Sequence, residues 1–191
     1  MNDVLTPECA ANVGFADPRL LTLPAGRALD VVIARILGWQ WYRSKVTNVR
    51  VLLPASGIHS LSNSGLWRRL WEPVPAEADD HSIRDQSQSQ NNNGVISFDF
   101  LREVPRFSTD GDHARQARET MRSKWQQEVN RFRFPLYWQF TDLLERGWRA
   151  DIIERADTGD RQLGYGAVEE TLELALCRAI VLYVAGQGSN P

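Results

Sequence analysis

Between Gly26 and Gly38 the apolar residues Leu29, Val32, Ile33, Ile36 and Leu37 recur at the i, i+3, i+4, i+7 and i+8 spacing of one helix face. A helix with a single apolar stripe must bury it against another element, so this stretch commits the chain to layered packing. Gly38 is the residue type that closes such a helix in the left-handed conformation. Immediately beyond it, Trp39-Gln40-Trp41 puts two rings on one side of an extended entry. Val46–Leu53 is β-branched and apolar, reads as a strand, and is ended by Pro54.

The remaining elements follow from the same two periodicities. Leu66–Trp71 sets Trp67 and Trp71 at i, i+4, the spacing of a short docked helix. The polar tract Asp85–Gly94 buries nothing and reads as a mobile loop. Gly94–Arg102 alternates, with Ile96, Phe98 and Phe100 on one side, as a half-buried strand does. Ser108, Thr109 and Asp110 are N-cap types and open a helix that runs through His113 and Arg118 to Gln127. Pro135 interrupts, and a second helical segment is expected over Leu136–Arg146, stopped by Gly147. Trp148–Ala156 alternates again with Trp148, Ala150, Ile152 and Glu154 on one face. Asp157–Asp160 suits a hairpin connection, and Arg161–Val168 returns as a strand. Glu169–Ala185 is a helix with Leu172, Ala175, Leu176, Ala179, Ile180 and Tyr183 on its buried side. The order is α-β-β-α(α)-β-β-α. It predicts an α+β fold, a layered α/β/α sandwich with antiparallel hairpins. Residues 1–24 form an N-terminal arm, with Leu20, Leu21 and Leu23 as packing contacts. Residues 25–186 form one domain, and 187–191 a tail.

Composition narrows the function classes. The 191 residues carry 22 basic and 24 acidic side chains, a net charge of -2, which argues against a nucleic-acid binder working by bulk charge. No apolar run is long enough for a transmembrane helix, and Met1–Arg19 lacks the basic start and apolar core of a signal peptide, so the host bacterial cytoplasm is the expected location. The two cysteines, Cys9 and Cys177, make no disulfide scaffold; Cys177, inside the apolar run Leu172–Val184, reads as a small core residue. Only Lys45 and Lys124 among the basic residues are lysines. That bias fits a GC-rich genome better than phosphate recognition.

Four short motifs stand in order along the chain: Ile36-Leu-Gly-Trp39, Val104-Pro-Arg-Phe-Ser-Thr-Asp110, Glu145-Arg-Gly-Trp148 and Ala175-Leu-Cys-Arg-Ala179. In this order the chain resembles the phage ABA-sandwich domain family, small proteins of bacteriophages and prophages. The resemblance covers nearly all of 25–186, and it implies a phage origin and a sandwich fold without an established reaction. Two departures, at 55–93 and at about 115–135, enlarge this chain relative to the family pattern.

Candidate sites are few. His59, His81 and His113 lack partners at metal-ligand spacing, and no phosphate loop, nucleophile elbow or Cys-x-x-Cys is present, so no catalytic residue, metal or cofactor is expected. Asp110-Gly-Asp112-His113 is the one acidic cluster beside a histidine, and it is read first as helix capping with a surface histidine. Arg106, Ser108, Thr109 and Asp110 at a helix start could seat an anion, with Trp39 and Trp41 as further ligand contacts. The cation–ring interleave Arg131, Arg133, Tyr137 and Trp138, with Trp67 and Trp71, suggests an interaction surface. Arg178 in an apolar helix needs an acid, with Glu173 or Asp30 in reach. The expected function is a non-enzymatic accessory protein that binds a host protein or a small anionic ligand, including a nucleotide, in interference with host processes such as defence signalling. Homo-oligomerisation is left open and no membrane role is expected. The alternatives are a nucleic-acid-binding accessory protein using Arg131–Trp138 with Arg68 and Arg69, and a virion or assembly component.

Overall fold

The computed structural model describes residues 5, 10, 13–15, 17–46, 50–54, 71–74, 104–127, 136–156, 159–165 and 168–187. The chain divides into two compact units, Met1–Leu37 with Pro105–Pro191, and Gly38–Val104. The expected strand at 94–102 and helix start at Leu66 lie outside the described residues, as do Trp67, Arg68, Arg69, Arg131, Arg133 and Pro135.

In the first unit a 3-10 turn, Pro18–Thr22, starts at Asp17, whose carboxylate accepts the Arg19 N–H at 2.8 Å. Helix α1, Arg27–Ile36, follows the expected periodicity but is buried beyond one stripe: Val31, Ala34 and Asp30 join Leu29, Val32, Ile33 and Ile36. Gly38 just past it has φ 94°, the left-handed value that ends a helix. Helix α2, Gly111–Gln127, buries Ala114, Ala117, Met121 and Trp125 and starts from the Asp110 cap. Its Lys124 Nζ donates to the Ile36 carbonyl at 2.7 Å, closing the C-terminus of α1 with a cation.

The segment expected as a helix over Leu136–Arg146 is a strand. Strand β4, Leu136–Asp142, pairs antiparallel along its length with β5, Trp148–Ala156, and a 3-10 turn at Leu144–Arg146 lies between them. The reason is local and tertiary at once. Leu136, Trp138 and Phe140 alternate with Tyr137, Gln139 and Thr141, aromatic and β-branched types that suit a pleated surface, and β5 offers a complete ladder. Strand β6, Gly159–Tyr165, pairs antiparallel with β5, with Ala156 opposite Gly159, so the strand starts two residues earlier than the expected Arg161, and it completes the sheet order β4-β5-β6. Helix α3, Leu172–Gln187, lies against β5 and β6 and also touches α1 and α2. From Ala175 to Val181 it is buried all round. Cys177 is a core residue there, and burial pushes its thiol well above the ordinary value.

Arg178 does not pair with Glu173 or Asp30. Its Nε donates to Glu169 at 3.0 Å, and its terminal nitrogens reach the Leu20 and Leu23 carbonyls at 3.4 and 2.7 Å. Glu169 is held at this spot by a backbone bridge with Trp148, while Asp30 is taken by Ser108 and Arg27.

The second unit holds three short strands, β1 (Gln40–Ser44), β2 (Arg50–Leu53) and β3 (Trp71–Pro73), in the antiparallel order β2-β1-β3. Trp71 therefore begins a strand rather than ending a helix. Its backbone lies opposite Ser44, Glu72 lies opposite Arg43 and forms an ion pair with it, and the Val74 N–H donates to the Trp41 carbonyl at 2.9 Å. Over the described residues the order is α-β-β-β-α-β-β-β-α, an α+β chain with two antiparallel sheets.

Candidate functional site

The helix start at 106–110 is occupied by the chain's own groups. Asp110 Oδ1 accepts the backbone N–H of Asp112 and of His113, both at 3.0 Å, the bonds an incoming anion would need. The His113 N–H bond, with the charges of His113 and Arg106, holds the Asp110 carboxyl below its usual value. Ser108 points inward and is 1% exposed. Its N–H and its hydroxyl both donate to Asp30 Oδ1 at 2.8 Å, and the Gly26 N–H donates to the hydroxyl at 2.9 Å. Arg106 and Thr109 are exposed on the turn. The four neighbours in sequence thus split into a cap, a buried tie between α1 and the α2 turn, and two surface residues. Desolvation raises the Asp30 carboxyl, opposed by the two Ser108 bonds and Arg27.

A cleft of about 400 Å³ opens between α2 and β4, lined by Arg118, Glu119, Arg122, Trp125, Tyr137, Trp138 and Phe140, with Leu136. Its size lies in the range of small-ligand sites, ~300–1,000 Å³. Helical spacing of i, i+4, i+7 carries Arg118, Arg122 and Trp125 to it, and the strand period of two carries Trp138 and Phe140. The Trp138 and Phe140 rings lie parallel within 5° at 6.0 Å. Trp125 meets Trp138 at 5.4 Å and 35°, and meets Tyr183 edge-on at 5.7 Å. The Arg118 guanidinium stands 6.0 Å over the Phe140 ring and donates to Glu119 from Nε and from a terminal nitrogen, at 3.1 and 2.8 Å. Glu119 reaches Arg122 only at 3.9 Å, and that arginine is 64% exposed. The cleft carries one net positive charge: two guanidiniums less one carboxylate.

Of the residues singled out from sequence, Tyr137 and Trp138 reach this cleft. Trp39, Trp41 and Trp71 belong to the other unit, Trp41 on β1 and Trp71 on β3. Arg118, Glu119, Arg122, Trp125 and Phe140 were not foreseen. The spacing of Arg118, Arg122 and Trp125 on one helix face was the available signal for them, and reading 136–146 as a helix hid the Trp138–Phe140 pair. Among the described residues no group of three His, Cys, Asp or Glu side chains gathers as a metal site. No helix among them is long and apolar enough to cross a membrane. The chain matches no family model, no curated protein and no solved structure.

Proposed function

We propose that this chain is a non-enzymatic accessory protein of a bacteriophage or prophage, of the ABA-sandwich type, and that it acts in the host cell by binding a small anionic ligand in the α2–β4 cleft. The cleft carries the reading. Its rings offer flat apolar faces and its guanidiniums offer charge, and its one carboxylate is tied to Arg118, so the lining supplies stacking and anion contacts rather than a nucleophile. Phage membership and sandwich layering rest on the four ordered motifs. They are supported by where those residues fall: Gly38 and Gly147 at left-handed turns, Asp110 at a helix cap, and Ala175–Ala179 in the buried helix. Interference with a host process, including defence signalling, is the biology in which such a binding protein acts.

The test is a titration of the purified protein with nucleotides and nucleosides, followed by tryptophan fluorescence, with the ligand recovered afterwards. Saturable one-to-one binding with unchanged ligand supports the reading. Turnover of the ligand that Asp110→Asn or His113→Ala abolishes would overturn it. The nucleic-acid alternative draws on the same rings and cations, and the same titration with an oligonucleotide decides it: binding that collapses steeply with salt favours a strand over a small ligand.

A further inference from the structure

We infer that His113 is an acid-sensitive switch at the start of α2: neutral, its imidazole holds the Arg106 peptide, and protonated, it releases that peptide and turns to Asp110. The inference is independent of the cleft and of what it binds. It begins with where the backbone groups of the turn before α2 find their partners. Val104 on one side of Arg106, and Phe107 and Ser108 on the other, are buried, so the chain is pinned on both sides of this exposed residue. The Arg106 carbonyl accepts the Asp110 N–H at 2.9 Å and the Thr109 N–H at 3.3 Å. The Arg106 N–H donates to His113 Nδ1 at 3.2 Å, across seven positions of chain. Both polar groups of this residue's backbone are therefore tied to the helix start.

The Nδ1 atom has a single lone pair. While it accepts the Arg106 N–H it carries no proton, so the neutral ring is the Nε2–H tautomer. The same atom stands 3.5 Å from Asp110 Oδ1. A bare nitrogen and a carboxylate oxygen are both acceptors, and only a proton on Nδ1 makes a bond between them. That proton takes up the lone pair and sets two donors, Nδ1–H and the Arg106 N–H, against each other. The two bonds exclude one another, and pH chooses between them, because imidazoles change charge in the physiological range. The charged groups at this helix start are Arg106, Asp110 and Asp112, with Glu173 arriving from α3, where its Oε1 lies 3.2 Å from the place a Cβ on Gly111 would take. Asp112 is paired with Arg115 at 2.9 Å, so Asp110 is the carboxylate that receives the protonated ring. The His113 side chain is 41% exposed, so the proton comes from solvent without unfolding. Ser108 keeps its two buried bonds to Asp30 throughout, which confines the change to the Arg106 peptide and the cap.

The test is amide hydrogen exchange in the full chain and in His113→Ala, compared at equal pH so that the intrinsic pH dependence of exchange cancels. At about pH 8 the Arg106 amide of the variant should exchange about fivefold faster than that of the parent, the effect of one lost hydrogen bond. At about pH 5 the two should exchange alike, because the protonated parent has already given the bond up. Alanine is a strong helix former, so α2 persists in the variant. A second measurement needs only the parent protein: nitrogen NMR of the histidine rings, with the His113 signals assigned by their loss in His113→Ala. Neutral His113 should show a bare Nδ1 and a protonated Nε2. An Arg106 exchange ratio that is the same at both pH values, or a neutral His113 with its proton on Nδ1, overturns the switch.

Discussion

Gly147 packs directly under the backbone carbonyl of Glu169: a Cβ at position 147 would lie well inside van der Waals contact distance of that oxygen and 3.0 Å from the carbonyl carbon. The approach is fixed by a two-way backbone bridge one residue on, with Trp148 N–H to Glu169 O at 2.8 Å and Glu169 N–H to Trp148 O at 3.0 Å. Gly147 also has φ 98°, ψ -152°, a region closed to other residues. It joins the β4–β5 turn to the segment that leads into α3.

Gly147→Ala should therefore cost more than its dihedral strain alone, about 2 kcal/mol or more, because backbone has to move as well. Gly159 is the control. It too is left-handed, at φ 122°, but nothing lies within 4 Å of its would-be Cβ. Gly159→Ala should cost only about 1–2 kcal/mol. Urea unfolding of the two variants measures the difference, and equal losses would show that the Glu169 contact contributes nothing.

Asp30 predicts a pH dependence of definite sign. Its carboxyl is raised in the fold by desolvation, so the folded chain keeps the proton to a higher pH than the unfolded chain does. The stability this contributes is fully present below the unfolded carboxylate value of ~3.9. It is lost as pH rises through the folded value. Asp30→Asn keeps an oxygen for the Ser108 N–H and hydroxyl and removes the buried charge, at the loss of the 3.5 Å contact with Arg27. Its stability relative to the parent should improve as pH rises above about 4 and level off once pH passes the folded value, read from urea midpoints across a pH series. Asp30→Ala takes away the acceptor of the buried Ser108 N–H and should lose about 2 kcal/mol at low pH, and less as pH rises and the parent carries its buried charge. A stability difference between Asn and Asp that is flat with pH would sink the argument.

These positions also show what could be read in the chain before its fold was known. The α1 stripe, the Asp110 cap, the β5–β6 hairpin and the buried character of α3 all rest on neighbours within a few residues, and periodicity or cap chemistry exposes such relationships directly. Strand β4 was misread because Pro135 before it and Gly147 after it bracket a helix as readily as a strand, and only the ladder to β5 separates the two. The partner of Arg178 was misjudged for a related reason. Glu173 and Asp30 are attractive by spacing or charge, but the choice of Glu169 depends on its bridge to Trp148, formed across 21 positions of chain. The cleft was half visible. Tyr137 and Trp138 stood out as rings among cations, whereas Arg122 gains meaning only when α2 lies beside β4.

Arg178 is the last test, and its outcome separates an ion pair from a backbone clamp. The side chain is 8% exposed and its acid partner, Glu169, 16%. Replacing a buried ion pair by apolar residues is often tolerated. Here, however, the same guanidinium also satisfies the carbonyls of Leu20 and Leu23, which a methionine cannot do. Arg178→Met should therefore lose about 3 kcal/mol, since it orphans a carboxylate and two buried carbonyls together. Combining it with Glu169→Gln should recover only the part due to the charge. The remainder should appear locally, as faster amide hydrogen exchange over Pro18–Leu23 than in α3. If the double variant regains full stability and exchange over Pro18–Leu23 stays slow, the carbonyl bonds hold nothing in place and the N-terminal segment is anchored by the packing of Leu20 and Leu23 alone.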